Sequence, residues 1–413
     1  MTCASVMRSA HALLLITVLF ALGLFALGCS TESTDEPTGP LYDDVTQRHL
    51  PTDSLTGLSM DAMPGDVDDD GDLDLLLANE FRPNILLLND GSGRFTDASD
   101  RIPSANHDSE DVAMADFDGD GDLDAVVVTE DDQTNEYYRN RGDGTFEDGG
   151  DRWPVAGTSN AVVAHDLTDD GAPDLVVGNN GQNVLLVNDG SGRFTDETER
   201  RLPQRDDVTQ DVELGDVDGD GDLDLIVGNE DDNRLLLNDG SGSFADAPNG
   251  ALPLRDTPEE TREADFGDVD GDGDLDLFFA NVRLFVDDAN RQDRLLLNDG
   301  SGRFTDVTAD RFPSEDRSAL DGDFVDVDRD GDLDVVTSEV AYDGERITSR
   351  PYRVWRNDGS GRFTDATDAL FPDGVTGRGL DAEAADYNGD GLVDLFLCSR
   401  GTVDRLLLGR ATE

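Results

Sequence analysis

The chain has 413 residues, with 94 acidic side chains against 31 basic ones and a formal charge of -63. A surface so acidic lacks the counter-charge that nucleic acid and anionic lipid demand, which sets both aside as partners. The fixed side-chain cations are all arginines. Apolar residues come in short regular runs, such as "LDLLLAN" and "LDLIVGN", which read as buried strands rather than disorder.

In chain order, Arg8 opens a segment whose apolar run, Leu13 to Leu27, has 15 residues, too short for a comfortable membrane span. It reads as a targeting segment outside the fold. Its end, "ALGCS", resembles the lipobox of a bacterial lipoprotein signal. That resemblance implies a signal over residues 1–28, lipidation of Cys29 and an outer-membrane lipoprotein, touching membrane only through its lipid. The alternative is ordinary cleavage near Gly28, giving a secreted or periplasmic protein. Residues 29–40 read as a flexible tether. Of three cysteines, Cys3 leaves with the signal and Cys29 is acylated, so Cys398 has no disulfide partner and reads as a small buried residue.

One unit then recurs seven times. Its acidic signature starts at Asp66, Asp116, Asp166, Asp216, Asp268, Asp326 and Asp386, at intervals of 50, 50, 50, 52, 58 and 60 residues. "NDGSGRFTD" or a variant follows from Asn89, Asn140, Asn188, Asn238, Asn298 and Asn357. Each unit holds four strand-like segments, as in "DVELG", "LDLIVGN", "RLLLN" and "SFADA". Four antiparallel strands in about 50 residues predict a blade of an all-β propeller. The last unit stops at "RLLLGRATE" without a fourth strand, whereas "LYDDVTQRHLP" from Leu41 aligns with "RFTDVTADRFP" from Arg303. Residues 41–51 are therefore expected to complete the blade begun at residue 371, making 41–413 a closed ring of seven blades without open sheet edges.

The acidic signature, D-x-D-x-D-G-x-x-D, is written in oxygen ligands suited to Ca²⁺, which takes six to eight of them. The candidate ligands are Asp66, Asp68, Asp70, Asp72 and Asp74 in the first loop, and Asp116, Asp118, Asp120, Asp122 and Asp124 in the second. The third offers Asp166, Asp170 and Asp174, with Thr168 in place of an aspartate, and is expected to bind weakly or stay empty. The fourth offers Asp216, Asp218, Asp220, Asp222 and Asp224; the fifth Asp268, Asp270, Asp272, Asp274 and Asp276; the sixth Asp326, Asp328, Asp330, Asp332 and Asp334. The seventh has Asp386, Asn388, Asp390 and Asp394. Position 12 is apolar or Thr337, and the flanks read as strands, so this is not an EF-hand. About six to seven structural calcium ions are expected.

With these motifs, residues 41–413 resemble the FG-GAP/VCBS repeat family, which includes the integrin α-subunit propeller and many exported bacterial proteins. The resemblance implies calcium at the loop between the first and second strand of each blade.

The opposite face is where a partner is expected. The loops of the fifth and sixth units, "NVRLFVDDANRQDR" and "SEVAYDGERITSRPYRV", are the longest, and Tyr342, Arg346, Arg350 and Tyr352, with Arg283 and Phe285, are candidates to contact it. An acid five places before each loop recurs as Asp61, Asp111, Asp211, Glu263, Asp321 and Asp381, with Ala161 the exception. It either binds cationic groups or caps hydrogen bonds between blades. No H-E-x-x-H, G-x-S-x-G or phosphate loop is present. The reading is a monomeric, non-catalytic binding or adhesion module for a protein or carbohydrate; the alternatives are a propeller enzyme such as a polysaccharide lyase, and an envelope scaffold.

Overall fold

The second strand of every unit is apolar on both sides because both sides are covered. Asp224–Asn229 is buried at every residue, and successive side chains pack toward opposite neighbours. Leu225 and Val227 join a cluster with Val176 of the third unit, while Ile226 joins Leu277 and Phe279 of the fifth. The same alternation around the chain produces seven hydrophobic clusters among the described residues, each lying between two neighbouring units. The core is thus a succession of layers around an axis.

The computed structural model describes residues 39–55, 57–130, 134–314, 318–342, 347–348 and 350–411. The leader, Cys29 and the tether up to residue 38 lie outside the described residues. Among the described residues the strands fall into seven antiparallel groups of four, with two short extra strands in the sixth, and short pairings join the first group to the second and the third to the fourth. The fourth unit is representative: Asp207–Gly215 innermost, then Asp224–Asn229, Arg234–Asn238 and Phe244–Asp246. Innermost strands touch one another in cyclic order, the last (Gly379–Ala385) against the first (Ser59–Gly65). This is a β-propeller.

Crowding at the axis explains the small residues that end the innermost strands. A Cβ on Gly215 would stand 2.9 Å from the Phe266 ring of the next unit. Closure follows the expected route. Tyr42–Asp44 pairs antiparallel with Arg405–Gly409, with Tyr42 opposite Gly409 and Asp44 opposite Leu407. Tyr42 is buried and meets Phe371 edge-on at 5.6 Å. Cys398 is buried and free.

Candidate functional site

Each acidic loop is wound on its own carboxylates. In the fourth, Asp216 accepts hydrogen bonds from the Gly219 and Gly221 N–H groups at 2.9 and 3.1 Å. Asp218 accepts from Asp220 N–H at 3.3 Å, and Asp220 from Asp222 N–H at 3.0 Å. Gly221 takes φ +95°, which a side chain would resist. Asp224 is buried and spans the base: its Oδ1 accepts from Asn238 N–H at 2.8 Å and its Oδ2 from Val217 N–H at 3.3 Å.

The pattern repeats with few changes. Asp66 accepts from Gly71, Asp116 from Gly121, Asp166 from Gly171, Asp268 from Gly273, Asp326 from Gly331 and Asp386 from Gly391, all at 2.8–3.2 Å. Asp74, Asp174, Asp276, Asp334 and Asp394 each span their loop as Asp224 does. In the second loop Asp124 takes Asn140 N–H on Oδ1 and the Tyr137 hydroxyl on Oδ2. Asn388 replaces a carboxylate without disturbing the turn, accepting from Asp390 N–H at 2.9 Å. The third loop keeps the same winding, so its missing aspartate alters the charge and not the shape.

Asp222 and its counterparts are the members of each loop expected to offer a backbone carbonyl. The side chains of Asp72, Asp122, Asp222, Asp274 and Asp332 lie over the first glycine of the neighbouring Asn-Gly turn: a Cβ on Gly240 would be 2.5 Å from Asp222 Oδ2. Arginines also reach into some loops. Arg139 binds the Asp118 carboxylate and meets Asp120 at 3.2 Å; Arg356 stands 3.7 Å from Asp328.

These loops fit a hard cation. One carboxylate oxygen from each of Asp66, Asp68 and Asp70 lies within 4.8 Å of the others, and so do those of Asp116, Asp118 and Asp120. The same holds for Asp216, Asp218 and Asp224, and for Asp268, Asp270 and Asp276. Asp68 Oδ1, Asp118 Oδ1 and Asp326 Oδ1 are buried without a hydrogen-bond partner, a costly arrangement that a cation would relieve. Burial also pushes the spanning carboxylates up, Asp224 to about 6, Asp74 to about 7 and Asp334 to about 8, against the N–H bonds that pull them down.

The "NDGSG" turns carry a role that their turn chemistry conceals. Asn298 Nδ2 donates to Leu275 O at 3.1 Å within its own unit and to Val217 O of the preceding unit at 2.8 Å. Asn140, Asn188 and Asn357 make the same cross-unit bond, to Val67, Phe117 and Val269. Asn89 makes it to Tyr387 O, across the closure. An Asn at this place in six of the seven units was the available signal, and a turn was a sufficient explanation for it.

Around the axis, the recurrent acids cap hydrogen bonds between units. Asp61 accepts from Val112 N–H at 3.0 Å, Asp111 from Val162 N–H at 2.6 Å and Asp211 from Ala264 N–H at 3.0 Å. In the fifth unit Asp265 does this instead of Glu263, taking Phe324 N–H at 2.6 Å. Asp61, Asp111, Asp211, Glu263, Asp321 and Asp381 all line one axial cavity of about 410 Å³.

The candidate partner residues part company. Tyr352 is buried, its hydroxyl 2.6 Å from Cys398 O and 2.8 Å from Ser399 Oγ, so it seals the sixth unit to the seventh and is not surface. Arg350 is exposed on a strand edge paired with Gly377. Tyr342 is placed by its backbone, opposite Ile347, and Arg346 lies outside the described residues. In the fifth unit, by contrast, Arg283 and Phe285 are exposed, Phe285 by 72%. Their loop is clamped by Glu260, a fully buried carboxylate that sequence reading passed over. It accepts from the N–H groups of Leu284 at 2.7 Å, Phe285 at 3.0 Å and Val286 at 3.0 Å, and pairs with Arg262 at 2.8 Å. The Arg262 guanidinium in turn lies 5.0 Å from the Phe285 ring centre.

Comparison with known proteins agrees with this architecture. Cartilage acidic protein 1 of Xenopus tropicalis is 32% identical over 126 residues, which is 29% of this chain and only 18% of that protein. The crystal structure of BBS1N in complex with ARL6DN superposes with a TM-score of 0.57 at 12% identity, over 91% of this chain and 99% of that one. YCF48 bound to D1 peptide gives 0.54 at 9% identity, over 92% and 100%. The FG-GAP-like repeat family matches residues 66–127, 123–177, 166–227, 216–279, 268–337 and 341–397. The chain belongs to the FG-GAP-like repeat family, folded as a β-propeller.

Proposed function

We propose that this chain is an exported, calcium-stabilised propeller that binds a protein or glycan partner and performs no chemistry of its own. Calcium belongs in the acidic loops, where Asp216, Asp218, Asp220 and Asp224 and their counterparts supply hard oxygens and the ion supplies the missing counter-charge. Export, with a lipid on Cys29, rests on the apolar run ending in "ALGCS"; a secreted or periplasmic form is the alternative.

The observation that carries the binding role is the clamped loop of the fifth unit. A carboxylate with no exposure is committed to three backbone N–H groups and an arginine, and the result is an aromatic ring held in water. Such preorganisation lowers the entropy cost of recognition, and exposed aromatics beside arginine are typical anchors. BBS1N and YCF48, which share the fold, were solved with a protein and a peptide bound. A polysaccharide lyase acting on an acidic glycan fits less well, because among the described residues the axial wall presents many carboxylates and one arginine, Arg262.

The test is a glycan array together with cross-linking in envelope extracts, comparing the full chain with Phe285→Ala. Ligands retained by the parent and lost by the variant, at equal melting midpoints in calcium, are expected. An identical ligand set for both would move the site elsewhere.

A further inference from the structure

The axial cavity has two kinds of wall. One tier inward from the recurrent acids, the innermost strands of the fourth, sixth and seventh units present Glu213, Asp323 and Glu383. The first three units present Met63, Ala113 and Val163 at the same register. Carboxylates therefore face an aliphatic surface across about 410 Å³.

No arginine on the described wall is free to balance these carboxylates. Arg262 is the one arginine on the described wall, and it is already paired with Glu260 at 2.8 Å and Glu230 at 3.5 Å. Asp61, Asp111, Asp211 and Asp381 each have an oxygen engaged by a backbone N–H. Asp321 differs: it is 3% exposed, it lines the cavity, and its Oδ2 has no hydrogen-bond partner. Asp323 Oδ2, in the next tier, has none either. Buried oxygens left without donors are expensive, and here two lie on one strand facing the same space.

We propose that the axial cavity binds an alkylammonium group: a primary ammonium, donating to the Asp321 and Asp323 carboxylates, on an aliphatic stem that lies along Met63 and Val163. An ammonium brings three donors and a positive charge, and its methylenes gain by leaving water. A hard divalent ion would satisfy the carboxylates but gains nothing from an aliphatic wall. The stem comes either from a free polyamine or from a lysine side chain of a peptide. This site is separate from the Phe285 loop, and stands or falls independently of it.

The experiment is calorimetric titration of the full chain in excess calcium with methylamine, 1,5-diaminopentane, spermidine and a lysine amide blocked at its α-amine. Expected is one saturable site that strengthens from methylamine to 1,5-diaminopentane, and weakens about tenfold or more in Asp321→Asn/Asp323→Asn. Equal melting midpoints in calcium show that the variant folds; if they differ, Glu383→Gln replaces it. Binding of the lysine amide as tight as that of 1,5-diaminopentane identifies a side chain as the source, and preference for spermidine identifies a polyamine. The proposal is overturned by absence of saturable binding, by affinity unchanged in the variants, or by displacement of the amine by millimolar calcium.

Discussion

Asp381 accepts a hydrogen bond from the backbone N–H of Ala62 at 3.1 Å, across 319 residues of chain. The same seam is fastened at two other levels. Asn89 donates to Tyr387 O at 2.8 Å beside the acidic loops, and Ser59 Oγ donates to Asp404 Oδ2 at 2.8 Å toward the opposite face. Closure is therefore a repeat of the ordinary contact between units, made by chain ends.

Tyr42 tests this directly. It is 1% exposed, fills the place that phenylalanine takes in other units, and packs edge-on against Phe371. Tyr42→Ala should cost roughly 3–5 kcal/mol, the range for emptying a buried aromatic site. Urea unfolding measures it. A loss below about 1 kcal/mol would mean that the terminal strand is not part of the cooperative unit.

Calcium dependence has a sharper form than simple removal. A chelator should lower the melting midpoint, because close carboxylates are then left facing one another. Asp220 and Asp170 make equivalent bonds, to Asp222 N–H at 3.0 Å and Ala172 N–H at 3.1 Å. Asp220→Ala and Asp170→Ala should thus cost about the same in chelator. In calcium, Asp220→Ala should cost more, since the third loop has Thr168 in place of a ligand. Equal costs in calcium would remove the ranking of the loops.

The cross-unit asparagines can be weighed by an internal comparison. Asn298 bonds both its own unit and Val217 O of the preceding one, whereas half-buried Asn238 bonds Leu223 O at 3.1 Å within its unit. Asn298→Ala should cost about 1–3 kcal/mol, because it strips a donor from buried carbonyls. Asn238→Ala should cost less. The reverse order in paired denaturation curves would refute a latch between units.

Most of the ring was legible in the sequence because one pattern was written seven times, and the odd half-units at the two ends completed each other. The acidic loops were legible for the same reason. What escaped were relationships between units. Asn298 reads as a turn residue until Val217 of the preceding unit is beside it. Asp61 reads equally as a cation ligand or a cap until its bond to Val112 is seen. Tyr352 reads as a loop aromatic, yet its strand carries it into the seam with Cys398. Glu260 has no motif at all, since its partners are the backbone of a loop whose path residue types do not specify.

The axial carboxylates predict how stability varies with pH. Burial, then the Asp381 charge, pushes Glu383 up to about 8, and burial, then Asp111, does the same to Asp211. Asp381 itself rises to about 7, again through burial first, against its N–H bonds. In the unfolded chain these groups titrate near 4. Between those values the folded chain holds more protons than the unfolded one, so stability falls as pH rises from about 5 to 8. Work in excess calcium keeps the loop aspartates ionised and isolates the axis. Under those conditions the melting midpoint should be higher at pH 6 than at pH 8. Glu383→Gln, which removes one of these protons, should flatten the slope. A midpoint that rises with pH, or a slope untouched by the substitution, would show that these carboxylates find another partner in the folded chain.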